Sequence, residues 1–80
     1  MSQKRDTVNY TLRDGRKIVY IGTTNDLDRR IDEHERDGKK FTTFSSSVKR
    51  TQDSALKHET EDLERYLRNQ GRLPKYNDKI

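Results

Sequence analysis

The stretch RDGRKIVYIG, from Arg13 to Gly22, decides the fold. Lys17-Ile18-Val19-Tyr20-Ile21 is β-branched and aromatic, the composition of a half-buried strand. Asp14-Gly15 just before it is a preferred hairpin turn, because a tight primed turn asks its central residues for positive φ. On the other side of that turn, Val8 to Leu12 alternates loosely and carries strand-forming residues. The spacing therefore predicts an antiparallel hairpin, Val8–Leu12 against Lys17–Gly22, closed at Asp14-Gly15.

Working outward, Gly22 ends the second strand and Thr23-Thr24-Asn25 supplies helix caps. A helix from about Asp26 to Asp37 follows, with Asp26 and Asp28 in its first turn and Gly38 as its stop. Leu27 and Ile31 lie one turn apart on one face. Phe41 to Arg50, rich in Phe, Thr, Ser and Val, reads as a third strand. Thr51 or Asp53 caps a second helix, Ser54 to Gln70, with Leu56, Leu63 and Leu67 on one stripe and Gly71 as its stop. Pro74 holds the tail Lys75-Tyr76-Asn77 out of helix. The expected class is α+β: a small three-stranded antiparallel sheet with flanking helices in the order β-β-α-β-α. Residues 1–80 read as a single domain with an ordered core of about 7–78 and a polar, frayed segment from Met1 to Asp6.

Composition narrows the function classes. Hydrophobic residues make up only 26% and charged residues 40%, close to a disordered chain, so the patterning just described is what argues for a folded domain. A net charge of +4 favours an acidic partner, of which nucleic acid is the commonest. Cysteine is absent, which excludes disulfides and a zinc ribbon and fits a reducing cytoplasm. No apolar run approaches membrane-spanning length. No Ser/His/Asp arrangement, paired-histidine helix or glycine-rich phosphate loop is present; His34 and His58 lie on different helices.

The informative residues are charges on apolar stripes. Glu59 lies three residues after Leu56 and four before Leu63; Arg30 lies three after Leu27, and His34 three after Ile31. Such groups belong at the border of the core or in a cleft, and they need partners. One reading is an Arg30–Glu59 ion pair stapling the helices. The other is a carboxylate and a guanidinium facing one cleft, where the first can hold a divalent cation and the second can stabilise a phosphoryl group. Tyr10 and Tyr20 fall on facing strands, either as core aromatics or as hydroxyls that handle a water proton.

Val19-Tyr20-Ile21-Gly22, followed by Thr23 to Arg30 and then Glu33-His34, resembles the signature of the GIY-YIG nucleases. The signature's first half falls on Val8-Asn9-Tyr10, with Val8 and Asn9 standing where the family has glycine and an apolar residue. Ala55-Leu56 through Glu59 resembles the helix that carries the family's glutamate, and Lys75-Tyr76-Asn77 its terminal asparagine motif. The resemblance runs from about Val8 to Asn77, with five elements in order.

It implies a metal-dependent endonuclease that hydrolyses DNA phosphodiester bonds with one Mg2+ or Mn2+. Low sequence specificity is expected, since no recognition domain is attached. On that resemblance Tyr10 and Tyr20 are the motif tyrosines, with water activation given to Tyr10 over Tyr20. Arg30 is the phosphate-contacting arginine, and helical phase selects it over Arg29, which points about 100° away. Glu59 is the metal ligand, His34 a supporting residue and Asn77 a residue that holds the site together. Gly22 permits close approach of backbone or substrate, and Lys17 is an electrostatic auxiliary. The implied setting is DNA repair or recombination on branched or nicked DNA, by a monomer or weak dimer without a membrane. Lys39, Lys40, Lys49, Arg50, Lys57 and Arg65 are candidate phosphate contacts. Two other classes stay open: a nucleic-acid-binding module with weak or no catalysis, and a structural adaptor.

Overall fold

A computed structural model describes residues 5–77. The remainder of the expected frayed segment, Met1 to Lys4, and the last residue of the expected core, Asp78, lie outside the described residues. The elements are β1 (Val8–Asp14), β2 (Lys17–Thr24), α1 (Leu27–Arg36), β3 (Thr43–Ser46) and α2 (Gln52–Gln70). The sheet is antiparallel in the order β2-β1-β3, which makes an α+β fold of the expected element order.

The hairpin closes one residue later than the Asp-Gly signal suggests. Asp14 pairs with Lys17, and the two-residue loop is Gly15-Arg16. Gly15 takes φ 66°, while no non-glycine residue among those described has positive φ. A primed turn with glycine first needs positive φ there alone, so Asp14 is spared the strain and stays in the strand. β2 also runs past Gly22 to Thr24, because β1 begins early enough for Val8 to pair with Thr24. Between Leu12↔Tyr20 and Arg13↔Ile18 the register shifts, leaving Val19 as an extra residue that bulges the strand.

Alternation along β1 assigns the layers. Tyr10 and Leu12 face α1 and form a core with Val19 and Ile31, onto which Tyr20, Leu27, Phe41 and Tyr76 pack. Asn9 faces α2, and its side-chain amide donates to the Ala55 carbonyl at 2.7 Å. The two helices thus cover opposite faces of the sheet.

Helix α1 is capped by Asp26 itself, whose carboxylate accepts from Arg29 N, rather than by Thr23 to Asn25. Helix α2 starts two residues earlier than expected and is capped by Thr51 rather than Asp53. Gly38 and Gly71 follow the two helices with φ of 82° and 75°. On α2 the buried positions are Ala55 and Leu63, whereas Leu56 and Leu67 are 48% and 38% exposed. Small Ala55, not Leu56, sets the phase of the buried stripe.

The third strand is far shorter than Phe41–Arg50. Its four residues are all exposed, and pairing resumes only at an isolated bridge between Thr7 and Arg50. Ser47 explains the break. Its hydroxyl accepts from Asn9 N and donates to the Val48 carbonyl, so a side chain takes over part of the backbone ladder. Phe41 leaves the strand to pack on the core. The tail covers the outer edge of β2: Tyr76 N donates to the Val19 carbonyl at 2.9 Å, and Pro74 is fully buried.

Candidate active site

Tyr10 sits mid-strand opposite Gly22, and its ring has no room to spare. A Cβ added at Gly22 would lie 2.6 Å from Tyr10 Cζ, from Tyr10 Oη and from Tyr20 Cε1. The glycine therefore makes space for the two motif tyrosines. Their ring centroids are 5.8 Å apart.

His34 completes this group from α1. Rather than bordering a cleft, it is fully buried, with its ring 4.6 Å from that of Tyr20 and its Nε2 2.6 Å from Tyr10 Oη. Burial, reinforced by the positive charges of Arg30 and Lys39, lowers its pKa from 6.5 to about 4, so the ring is neutral at pH 7. A neutral imidazole has one donor and one acceptor nitrogen; Nε2 is used by Tyr10 and Nδ1 has no partner among the described residues.

The tyrosines are not equivalent. Tyr10 is 1% exposed, and burial, with Tyr20 beside it, pushes its phenol above the usual tyrosine range despite the opposing pull of Arg30. Tyr20 is half-buried, and Lys39 Nζ lies 5.8 Å from its ring centroid. A hydroxyl that is inaccessible, already hydrogen-bonded and held neutral is poorly suited to take a proton from water. The preference for Tyr10 over Tyr20 as water activator is therefore reversed in the proposal below.

Arg30 connects this cluster to an open cleft. Burial disfavours its charge, but the two tyrosine hydroxyls outweigh that effect and raise its pKa above the ordinary arginine value. The guanidinium also lines a cavity of about 670 Å³ together with Glu59, Thr23 and Thr24. Its ion pair is with Glu33 at 3.0 Å, one turn along α1, and not with Glu59. The helix-stapling alternative thus gives way to two groups facing one cleft.

Glu59 is half-buried, one turn from Ala55 and one from Leu63 along α2. Its Oε2 accepts from the Thr23 hydroxyl. Thr23 Oγ1 accepts in turn from Asn9 Nδ2 at 3.3 Å, and Asn9 Oδ1 accepts from Arg50 Nε at 3.2 Å. Asn9, buried where the family pattern has an apolar residue, is thus the hub that fixes the rotamer of Thr23 and, through it, the carboxylate.

Asn77 acts on the strand itself. Its Oδ1 accepts from Ile21 N at 2.9 Å and its Nδ2 donates to the Ile21 carbonyl at 3.0 Å, so the amide pins β2 beside Gly22. Lys17 is not part of this assembly. It is exposed near the hairpin turn and lines a different cavity. The lysine near Tyr20 is Lys39, which also pairs with Asp37 at 3.5 Å.

Sequence reasoning treated Thr23 only as a helix cap and Asn9 only as a departure from a motif. A period-2 reading of β1 holds a clue to Asn9, since alternation places it on the sheet face opposite Tyr10. Nothing in the sequence marks the Thr23–Glu59 contact, which depends on how α2 seats against β2.

Among the described residues, no group of three or more His, Cys, Asp or Glu is arranged to hold a metal ion. Glu59 is a half-buried carboxylate on a polar cleft that Asp6 and Asp53 also line. This suits Mg2+, which keeps several waters and commonly takes one or two carboxylates plus phosphate oxygens. It does not suit zinc, which needs three or four protein donors.

A family model described as the GIY-YIG catalytic domain matches residues 9–77. No curated protein and no solved structure gives a significant match.

Proposed function

Because the chain belongs to the GIY-YIG family, we propose that it is a divalent-metal-dependent endonuclease hydrolysing DNA phosphodiester bonds with low sequence specificity. The observation that carries this reading is the position of Arg30. One guanidinium is coupled to the hydroxyls of Tyr10 and Tyr20 and also lines the Glu59 cleft. A guanidinium able to clamp a phosphate and a carboxylate able to hold a metal line one cleft, with two phenols beside the guanidinium, and this supports the reading.

Each residue then has a distinct task. Glu59 would hold the Mg2+ or Mn2+, which when bound supplies positive charge to the departing oxygen. Thr23 and Asn9 aim the carboxylate. Arg30 neutralises charge accumulating on the phosphoryl oxygens, and the nearby phenols keep it aimed into the cleft. Tyr20, the more accessible of the two hydroxyls, orients the attacking water and relays its proton, taking it on the phenolic oxygen while the phenol's own proton passes to solvent. Tyr10 and neutral His34 form the buried wall against which Tyr20 is held. Asn77 keeps β2 straight at Ile21, so that Tyr20 and Gly22 keep their places.

Supercoiled plasmid in Mg2+ or Mn2+ tests this. The wild type is expected to nick it, and Glu59→Gln, Arg30→Ala and EDTA are each expected to stop nicking while the thermal melt of Glu59→Gln stays near that of the wild type. Full activity of Glu59→Gln would sink the assignment. Absence of nicking by a folded wild type that still binds DNA would transfer the domain to the class of binding modules.

A further inference from the structure

The catalytic cleft offers a duplex few cations. Among the described residues it is lined by three carboxylates, Asp6, Asp53 and Glu59, against one cation, Arg30. Arg30 is its one lining cation among the described residues, so most cation contacts to a duplex backbone fall outside it.

A second cavity, of about 530 Å³, has the opposite character. It lies on the α2 side of the sheet, where the hairpin meets the C-terminal half of α2. Four cations line it, Arg13, Arg16, Lys17 and Arg65, against one carboxylate, Asp62, which is 3.7 Å from Arg65. Arg13 and the turn that carries Arg16 are also braced. Arg13 Nη1 donates to Ser45 Oγ at 2.9 Å, which fixes one guanidinium. The turn that carries Arg16 is tied to the segment before β3, with Gly15 N donating to Thr42 Oγ1 at 2.9 Å and Thr42 N to the Arg13 carbonyl at 2.7 Å. Pre-set side chains lose less entropy on binding than freely rotating ones.

The spacing gives the reach of the cavity from the cut for a duplex laid along α2. Glu59 and Arg65 are six residues apart on α2, and Asn69, at the far end of the cavity, is ten away. At a rise of about 1.5 Å per residue this places the basic cavity about 9–15 Å from the carboxylate. Phosphates of one strand advance about 3.4 Å per step along the duplex axis, so that distance is about three to four steps.

We propose that this second cavity is a DNA-phosphate anchor. It grips the duplex three to four base-pair steps from the cut and supplies affinity that the carboxylate-lined cleft does not. It gives Lys17 a role as an anchor residue remote from the chemistry. The inference takes its partner from the proposed nuclease function but concerns binding alone.

The test is fluorescence anisotropy with a short labelled duplex in EDTA, where cleavage cannot occur, titrated across salt. The double variant Arg16→Ala/Arg65→Ala removes two exposed cations from the cavity. The double variant Arg36→Ala/Arg68→Ala makes the same charge change on exposed residues that line neither cavity. Loss of two phosphate contacts should flatten the plot of log affinity against log salt by about 1.8, so that from about 50 to 200 mM salt the wild type loses about twelvefold more affinity than the variant. The control pair should keep the wild-type slope. Equal effects in both pairs would reduce the result to net charge and overturn the anchor. So would an unchanged Arg16/Arg65 variant, or no duplex binding by the wild type. Plasmid nicking in Mg2+, run in parallel, separates the two ideas. Nicking with an unaltered salt slope discards the anchor and keeps the nuclease; an altered slope without nicking does the reverse.

Discussion

Gly22→Ala tests the packing on which the site is built. The added methyl would stand 2.6 Å from Tyr10 Cζ, Tyr10 Oη and Tyr20 Cε1. Carbon contacts are comfortable at about 3.5–4.0 Å, so the rings must give by about 1 Å. Tyr10 has nowhere to go: it is 1% exposed and its hydroxyl is 2.6 Å from His34 Nε2. Overpacking costs about 1–3 kcal/mol, and a broken buried hydrogen bond adds about 1–3 kcal/mol. A total of about 2–6 kcal/mol lowers the melting temperature of a domain this size by about 10–50 °C.

The assay is urea unfolding followed by circular dichroism. Gly15→Ala and Gly38→Ala serve as controls, where no atom lies within 4 Å of the new methyl and only positive φ is penalised, at about 1–2 kcal/mol. Combining Gly22→Ala with Tyr10→Leu should recover about 1 kcal/mol or more relative to additivity, while Gly15→Ala with Tyr10→Leu should be additive. A Gly22→Ala cost under about 1 kcal/mol, or an additive cycle with Tyr10, would refute the steric account.

Three other perturbations have definite outcomes. Thr23→Val keeps the shape but deletes the hydroxyl between Asn9 and Glu59, so Mn2+ affinity measured by calorimetry should fall about 10–100-fold; unchanged affinity would remove Thr23 from the carboxylate's support. His34 has a folded-state pKa of about 4 against 6.5 when free. Its contribution is therefore complete above about pH 6.5 and is lost as pH falls toward about 4, amounting to about 3 kcal/mol. Urea midpoints across that window should decline in the wild type and decline less in a folded His34→Gln variant; parallel profiles would count against it. Asn77→Ala deprives Ile21 N–H and C=O of their partners. It should cost about 1–3 kcal/mol and accelerate exchange of the Ile21 amide more than that of Leu12 in the central strand.

How much of this was legible without coordinates follows from what each residue depends on. Gly15, Gly38 and Gly71 each take positive φ, which local chain geometry demands, so the hairpin and both helix ends could be read directly. The exact turn was missed by one residue because Asp-Gly and Gly-Arg both satisfy a primed turn, and the register across β1 and β2, with Val19 bulged, chooses between them. β3 was overread because Ser47 looks like a strand residue until its hydroxyl is seen on Asn9 N. Leu56 was assigned to the buried stripe because three leucines at helical spacing outweighed Ala55, whereas the close seating of α2 against the sheet selects the smaller side chain. The inward position of Glu59 survives the corrected phase, since it also lies one turn from both Ala55 and Leu63.

The low apolar content explains why so much of the site coincides with the interior. With 26% hydrophobic residues, aliphatic side chains alone cannot fill the space on both faces of the sheet. Tyr10 and His34 fill one side and Asn9 lies on the other, each buried and hydrogen-bonded. The wall behind Tyr20 and the hub behind Glu59 are therefore core residues of the domain. Loss of activity in variants of Tyr10, His34 or Asn9 carries no mechanistic weight until their stability is known. The informative contrast is Tyr20→Phe, which deletes a half-buried hydroxyl. A proton-accepting role predicts a fall in nicking of about 10²–10⁴-fold with the urea midpoint nearly unchanged. Tyr10→Phe should instead lower the midpoint by about 1–3 kcal/mol in stability. If Tyr20→Phe cuts DNA at the wild-type rate while Tyr10→Phe, still folded, does not, the buried hydroxyl is the base, and the wall must open during turnover.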